Sequence, residues 1–465
     1  MSNTAIIIAV LVVYFVAMLF IGLKGRKYSS TNKDFMTAAK QGTLLLIVGT
    51  YLGAHIGNGV VVGGAQYGAQ YGIGGSWYGI GTAFSYILFA IVIAKEIRKR
   101  GYITLPDVVN DVYGDKVTPV LIAILHYAAI TAIMAGQITA GKLLFEYLGM
   151  SGVWGAIITT AIVIIYSTMS GMWGVMVTDV VQSAVIFVSV IAGIIFIAAK
   201  GGFALMAANL PASNWEPIPF DAETFVMMFV PTMLYGLISA PGYQRTAACK
   251  KDKTVVAAPI IAAVIIIVFA LLPTIMGMYG KALWPDAEDS TILFKVLLEA
   301  FPPVLAGLMV ASICAAVMST CDGSLIAASA NIVNDIYLKL INPEEKDEKK
   351  LARITVWSTI LTGVFGLLIS LKFTNLVPLL SAAYALLNCG ALIMIVGGIF
   401  WKKATTAGAI SSFVVGVTIC LLGNTLHVIN IPYPSVSPLL PALVVFIVVS
   451  LLTQPKEAKA SKGSN

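Results

Sequence analysis

The sequence predicts an all-α, polytopic membrane protein, and three observations carry the prediction. The 465 residues are 58% hydrophobic and only 11% charged, whereas soluble domains are about 45–50% apolar and about 25% charged. The mean hydropathy is +0.92. The apolar residues also gather into thirteen stretches, close to the roughly 20 residues that a helix needs to cross a bilayer. A cytosolic enzyme, a nucleic-acid binder and a secreted disulfide protein are excluded on composition alone.

Taken in order, the predicted spans are 4–23, 43–69, 75–95, 118–145, 151–169, 173–199, 223–243, 254–279, 303–326, 354–371, 375–400, 405–424 and 437–453. The first lacks a basic leading region and an A-x-A site, so it reads as a span and not as a cleaved signal. An odd count puts the termini on opposite sides, and basic residues mark the cytoplasmic loops. With the N-terminus outside and the C-terminus inside, 24 of the 29 Lys and Arg face inward, among them Lys24, Arg26, Lys27, Arg98, Arg245, Lys250, Lys339, Lys402 and the tail lysines Lys456, Lys459 and Lys462. Lys142, Lys200, Lys281, Lys295 and Lys372 fall outside. The net charge of +7 is thereby an orientation signal, and no acidic partner or nucleic acid is implied. The five cysteines lie in spans or at their edges, which argues against a disulfide or zinc framework. The polar tail from Gln454 to Asn465 reads as disordered.

Two spans carry helix-breaking chemistry. The second, GTYLGAHIGNGVVVGG, belongs to a segment (49–81) holding twelve of the chain's 42 glycines. Gly49, Gly53 and Gly57 recur every four residues, a spacing that close helix packing also explains. Packing does not explain His55 and Asn58 at mid-span, and a loosened helix frees carbonyls that are tolerated at membrane depth only where they line a cavity or bind something. The seventh span, FVPTMLYGLISAPGYQR, is interrupted by Pro231, Gly236, Pro241 and Gly242. Interrupted spans at matching places of two halves point to a transporter's binding site. Counting from the second span gives two five-helix units starting on opposite faces, a 5+5 inverted repeat with a broken first helix in each. The chain then divides into 1–42 (an extra helix and loop), 43–222 and 223–403 (the repeats), and 404–465 (two further helices and a tail).

The ninth span holds Ser319, Thr320 and Asp322, and the sixth holds Asp179. Intramembrane hydroxyls can bond back to their own helix, but a carboxylate there costs about 2.5–3.5 kcal/mol on insertion scales and marks function by default. Two buried acids repel unless a cation lies between them or one is protonated. Oxygen ligands suit a hard cation, so the residues point to a cation-coupled transporter. Asp335 and Glu96 stand beside basic loops and are assigned to the interface.

Five segments then resemble, in order, elements of the sodium:solute symporter family. AAVMSTCDGSLIAASANIVNDIY is similar to its ninth-span signature, SGMWGVMVTDVVQ to its G-G-x-x-A-V-x-x-T-D-x-x-Q element and GYQRTAACKKDK to its Q-R-x-x-A-A-K-D stretch; DFMTAAKQ and ITLPDVVNDVYG resemble its loops. The resemblance implies a leucine-transporter-type fold and a principal Na+ site built from the carbonyls of Gly53, Ile56 and Ala316 and the hydroxyls of Ser319 and Thr320. It also implies a second cation or proton site at Asp179, Ser319, Asp322 and Gly323, where an acid and a glycine replace two hydroxyls. Solute contacts would include His55, Gly57, Asn58 and Val60, with Trp77, Tyr78, Gln137, Tyr235 and Asn388 as further candidates. The expected function is uptake of a small organic solute (carboxylate, amino acid or similar) driven by inward Na+ movement, in the cell membrane, with Na+ as the coupling ion, the bilayer as surroundings and a monomer sufficient. Proton coupling through Asp179, Asp322 or His55 stays open, as does a channel or sensor on this scaffold. No enzyme constellation is present in the sequence: three scattered histidines and no H-E-x-x-H or G-x-S-x-G.

Overall fold

The computed structural model describes residues 3–25, 32–372, 376–426 and 428–454. Arg26, Lys27, the three tail lysines and His427 lie outside them, so that part of the charge argument and the expected disorder beyond Gln454 have no counterpart here. Among the described residues the architecture is helical throughout. α1 (Asn3–Gly25) and the short α2 (Asn32–Thr37) precede a broken pair, α3 (Leu44–His55) and α4 (Asn58–Tyr71). α5 (Trp77–Val92) is followed by short α6 (Ala94–Arg100) and α7 (Leu105–Tyr113), then by the long α8 (Val117–Tyr147). α9 (Gly152–Ala199) covers both the fifth and the sixth predicted spans, which stay distinct as Gly152–Met169 and Gly171–Ala199 where the backbone turns non-helical at Gly171 with φ 55°.

After α10 (Gly202–Asn209) comes the second broken pair, α11 (Ala222–Tyr235) and α12 (Ala240–Ala248), joined by a tight turn at Gly236–Ile238. α13 (Asp252–Leu283) and α14 (Ile292–Lys295) lead to α15 (Pro303–Ala330), which widens into a π-helical stretch at Asn331–Ile341. α16 (Glu348–Ser370), α17 (Leu376–Leu387), α18 (Gly398–Phe400), α19 (Thr406–Cys420) and α20 (Leu439–Leu452) complete the chain. Eleven helical stretches among the described residues are long and apolar enough to cross a membrane, and Leu44–His55 and Leu439–Leu452 are shorter apolar helices.

Local chemistry sets the boundaries. The Thr43 hydroxyl accepts from Leu46 N–H at the start of α3, and the Asp221 carboxylate accepts from Thr224 N–H at 2.8 Å at the start of α11, each satisfying a donor that the first helical turn leaves over. Thr104 and Asp107 form a reciprocal capping box on α7. α15 sits at the centre, packed on α9, α8 and α1, and its small residues Ala311, Ala315 and Ala316 are 2% exposed or less. The periphery is the reverse: Val13 of α1 is 71% exposed and Trp357 of α16 is 68% exposed. Apolar surface on this scale is what lipid, not water, would cover. All five cysteines are free and buried.

One contact joins the two broken pairs at the same end of the bundle. Gly42 N–H donates to Ala248 O and Lys250 N–H donates to Gly42 O, both at 2.9 Å. The entry to α3 and the exit of α12 are thus held by main-chain hydrogen bonds.

Candidate functional site

The first break arises where the α3 ladder ends with Ile56 N–H donating to Leu52 O at 2.8 Å. Gly57 is extended (φ −79°, ψ −172°), and α4 restarts at Asn58. The carbonyls of the last turn, Gly53 to Ile56, therefore lie beyond their own helix's bonding. α15 reaches one of them, and α8 meets the first N–H of α4. Thr320 Oγ1 on α15 donates to Ala54 O at 3.4 Å, Ser319 Oγ donates to Ala316 O at 3.2 Å, and Gln137 Oε1 on α8 accepts from Asn58 N–H at 3.2 Å. A side chain at Gly57 would run into the Thr320 hydroxyl, and one at Gly53 would bring Cβ to 2.8 Å from Asp179 Cβ. Glycine at both positions is what lets α15 and α9 approach the break.

Of the helices expected to hold Na+, α15 meets the end of α3 through Thr320 and Ala54 O, with Gly57 beside Thr320 and Ala316 O. Gly53 and Ile56 stand at the end of α3, and Ala316, Ser319 and Thr320 face it from α15. Five neutral oxygens on a broken and a hydroxyl-bearing helix fit a small monovalent hard cation. Among the described residues no cluster of His, Cys, Asp and Glu could hold a transition metal.

A cavity opens beside this junction, and His55, Gly57, Val60, Tyr78, Gln137 and Tyr235 line it, together with Ser319 and Thr320. Three expected solute contacts do not. Asn58 is fully buried with both amide atoms unpartnered, away from the cavity wall. Trp77 donates from Nε1 to Pro217 O at 2.8 Å and packs edge-on against Phe225 and Phe229. Asn388 donates from Nδ2 to Pro231 O at 2.9 Å, covering the carbonyl beside the α11 proline. Thr82, Tyr384 and Ser324 line the cavity without having been singled out in the sequence. Aromatic and hydroxyl residues inside apolar spans carry no signal that separates them from ordinary packing.

The expected second cation site is arranged differently. Asp179 Oδ2 accepts from Thr50 Oγ1 and from Arg245 Nη2, the latter an ion pair at 3.0 Å with both side chains fully buried. Arg245 also donates to Thr50 O at 3.1 Å and Pro241 O at 3.3 Å. This corrects the loop assignment of Arg245: α12 continues the seventh span inward, and its arginine points into the protein, not toward the cytoplasm. A buried pair is weak evidence of stability, but removing either partner leaves an uncompensated charge. Asp322 is fully buried, and one of its oxygens accepts from Gly323 N–H at 2.6 Å. Asp335 is likewise not interfacial. It is 2% exposed and accepts from Lys339 Nζ at 2.8 Å and Thr104 Oγ1 at 3.0 Å, while Lys339 also reaches Asp107 at 2.7 Å.

The chain and its fold have counterparts among known proteins. The family model described as sodium:solute symporter family matches residues 35–416. The sodium/pantothenate symporter of Escherichia coli (strain K12) is 24% identical over 465 residues, covering 96% of this chain and 95% of that protein. The osmoregulated proline transporter OpuE of Bacillus subtilis (strain 168) is 25% identical over 485 residues, covering 98% and 96%. A solved Na+-coupled sialic acid symporter, in a substrate-bound outward-open state, superposes with a TM-score of 0.84 at 18% identity over 97% of this chain and 98% of its own; that likeness concerns the fold. With a family model spanning most of its length and a broken helix facing paired hydroxyls at its centre, the chain belongs to the sodium:solute symporter family.

Proposed function

We propose that this multi-pass membrane protein is a secondary active transporter in the cell membrane, coupling inward Na+ movement to uptake of a small organic solute by alternating access. As a member of a symporter family it is a transporter and not an enzyme. The observation that carries the reading is the junction of the α3–α4 break with α15, where a carbonyl freed at the end of α3 meets the Thr320 hydroxyl, with Ser319 beside it. Na+ bound by Gly53, Ile56, Ala316, Ser319 and Thr320 would tie α3 to α15. Reciprocity of binding then requires that Na+ raise solute affinity and the solute raise Na+ affinity by the same factor. The solute would sit against His55, Gly57, Val60, Tyr78, Gln137 and Tyr235. Pantothenate and proline, named for the relatives, are both carboxylates, so a carboxylate or amino acid is the proposed class. Asp179 is already balanced by Arg245, which supports one Na+ per cycle and leaves Asp322 as the position for a second cation or a proton.

Topologically the reading takes thirteen spans with the N-terminus out and the C-terminus in. Residues 43–222 and 223–403 form the inverted repeats, with 1–42 and 404–465 as additions and a monomer as the working unit. Two interrupted helix pairs at the start of the two units support it. Uptake into proteoliposomes under an inward Na+ gradient, against equal Na+ on both sides and against a pH gradient alone, is the test. Gradient-independent uptake, or uptake driven by protons without Na+, would overturn Na+ coupling.

A further inference from the structure

The lining of the central cavity is rich in hydrogen-bond acceptors. Among the described residues that line it there is no Asp, Glu, Lys or Arg. Seven hydroxyl side chains line it, the phenols of Tyr78, Tyr235 and Tyr384 and four aliphatic hydroxyls, and each of the four gives its proton to a carbonyl: Thr82 to Tyr78 O at 3.3 Å, Ser319 to Ala316 O, Thr320 to Ala54 O and Ser324 to Thr320 O at 2.7 Å. What those oxygens have left to offer the cavity is lone pairs.

His55 adds to them, and its tautomer can be derived. The Tyr86 hydroxyl lies 2.7 Å from Tyr51 O and also contacts His55 Nδ1. A carbonyl can only accept, so the single hydroxyl proton of Tyr86 goes to Tyr51 O. The Tyr86 oxygen must then accept from His55, which puts the imidazole proton on Nδ1. Nε2 is left as a bare acceptor; it is buried and has no partner in the protein. The Tyr86 ring stands edge-on to His55 with centroids 4.5 Å apart, which fixes the ring's orientation. Tyr235 lies 6.2 Å from His55 and packs at 4.5 Å, tilted by 31°, against Tyr384, so aromatic rings close the same wall.

We propose that the solute is a primary or secondary amine, whose ammonium donates an N–H to His55 Nε2 and rests against the Tyr235–Tyr384 wall. Lone pairs and aromatic faces without a carboxylate attract a cation, and the bare Nε2 requires that this cation carry a proton to give. A quaternary ammonium satisfies the aromatic faces and leaves Nε2 unpaired. The amide oxygen of Gln137 is committed to Asn58 N–H, so its NH2 faces the cavity as a donor, suited to the carboxylate of an amino acid. The acceptor is held by a relay that ends on Tyr51 O, two residues before Gly53, so solute recognition is built into the helix that carries the proposed Na+ carbonyls. This assignment rests on the symport reading and deepens it.

The test uses the purified full chain. With only three histidines, 15N-imidazole spectra can be assigned by substitution, and His55 is expected to carry its proton on Nδ1. Thermal shifts with Na+ alone, then with each of the twenty amino acids and its fully N-methylated counterpart, read the rest. At least one amine should stabilise the protein in Na+. Its N-methylated form should bind about tenfold or more weakly, the range for losing a hydrogen bond to a charged group. Tyr86→Phe and His55→Leu should lose the amine to the same extent while keeping the shift given by Na+ alone, and His55→Gln, which keeps an acceptor, should recover part of it. A proton on Nε2, an N-methylated form that binds as tightly as its parent, or a Na+-stabilised protein that binds no amine would overturn the assignment. Absence of any Na+ shift would instead overturn the symport reading beneath it.

Discussion

The two broken helix pairs look alike in sequence, and the structure treats them in opposite ways. At the second break the freed carbonyls are served from within the same strand of chain. Tyr243 OH donates to Leu237 O at 3.2 Å, Ser239 Oγ to Gly236 O at 3.4 Å and Arg245 Nη1 to Pro241 O. At the first break the partners come from elsewhere: Thr320 of α15 donates to Ala54 O, and Gln137 of α8 accepts from Asn58 N–H. A break that satisfies itself is a fixed kink, whereas one whose carbonyls depend on other helices can exchange those partners for a ligand. The difference teaches which half of a symmetric-looking device does the binding.

The comparison can be broken most severely at Arg245, where the second pair reaches across to the first. Arg245→Leu leaves Asp179 buried without its counter-charge, and an expected loss of about 3–5 kcal/mol would appear as a large fall in melting temperature. Asp179→Asn added to that variant should recover part of it, and a neutral single variant would refute the pairing. Next in size are the hydroxyls: Ser319→Ala or Thr320→Ala should weaken Na+ binding about tenfold, or about 1.4 kcal/mol, with little change in melting temperature in Na+-free buffer. Gln137→Leu strands Asn58 N–H in the interior at a cost of about 1–3 kcal/mol, and should raise the KM for solute while leaving Na+ binding in place. Ser239→Ala, on the self-satisfied side, should cost no more than about 1 kcal/mol and leave uptake unchanged. Equal transport defects from Ser239→Ala and Thr320→Ala would erase the distinction.

Much of this was legible in the residues. Glycine at 53 and 57 and proline at 231 and 241 announced both breaks, because those residue types act on the backbone itself. Ser319 and Thr320 stood out because hydroxyl pairs are conspicuous among alanines. Arg245 was not legible: a basic residue following an apolar span reads as a loop residue, and only the inward continuation of α12 turns it toward Asp179. For Asp335 the i,i+4 pairing with Lys339 lies within one helical stretch, but its second partner, Thr104, is 231 residues away in the chain, and that contact is what buries it. Tyr86 and Tyr384 were silent because an aromatic in a span is usually packing. The break at Gly171 was legible, since a small-residue interruption between two apolar runs reads as a boundary between spans. Asn58 drew attention as an intramembrane amide, yet the part of it that bonds across the break is its main chain.

The hydrogen bonds between Gly42 and the Ala248–Lys250 segment have a consequence for how robust the inner coupling is to sequence drift. Peptide groups are common to every residue, so side-chain changes in the Ala248–Lys250 segment leave these donors and acceptors in place, whereas at Gly42 a Cβ would stand 2.7 Å from Ala248 O. Among single changes, Gly42→Pro or Lys250→Pro deletes one of the two donors outright. The half-helices α3 and α12 are therefore yoked by a feature that alanine scanning registers at Gly42 but not at Lys250, and amide hydrogen exchange at both positions would report whether they ever part.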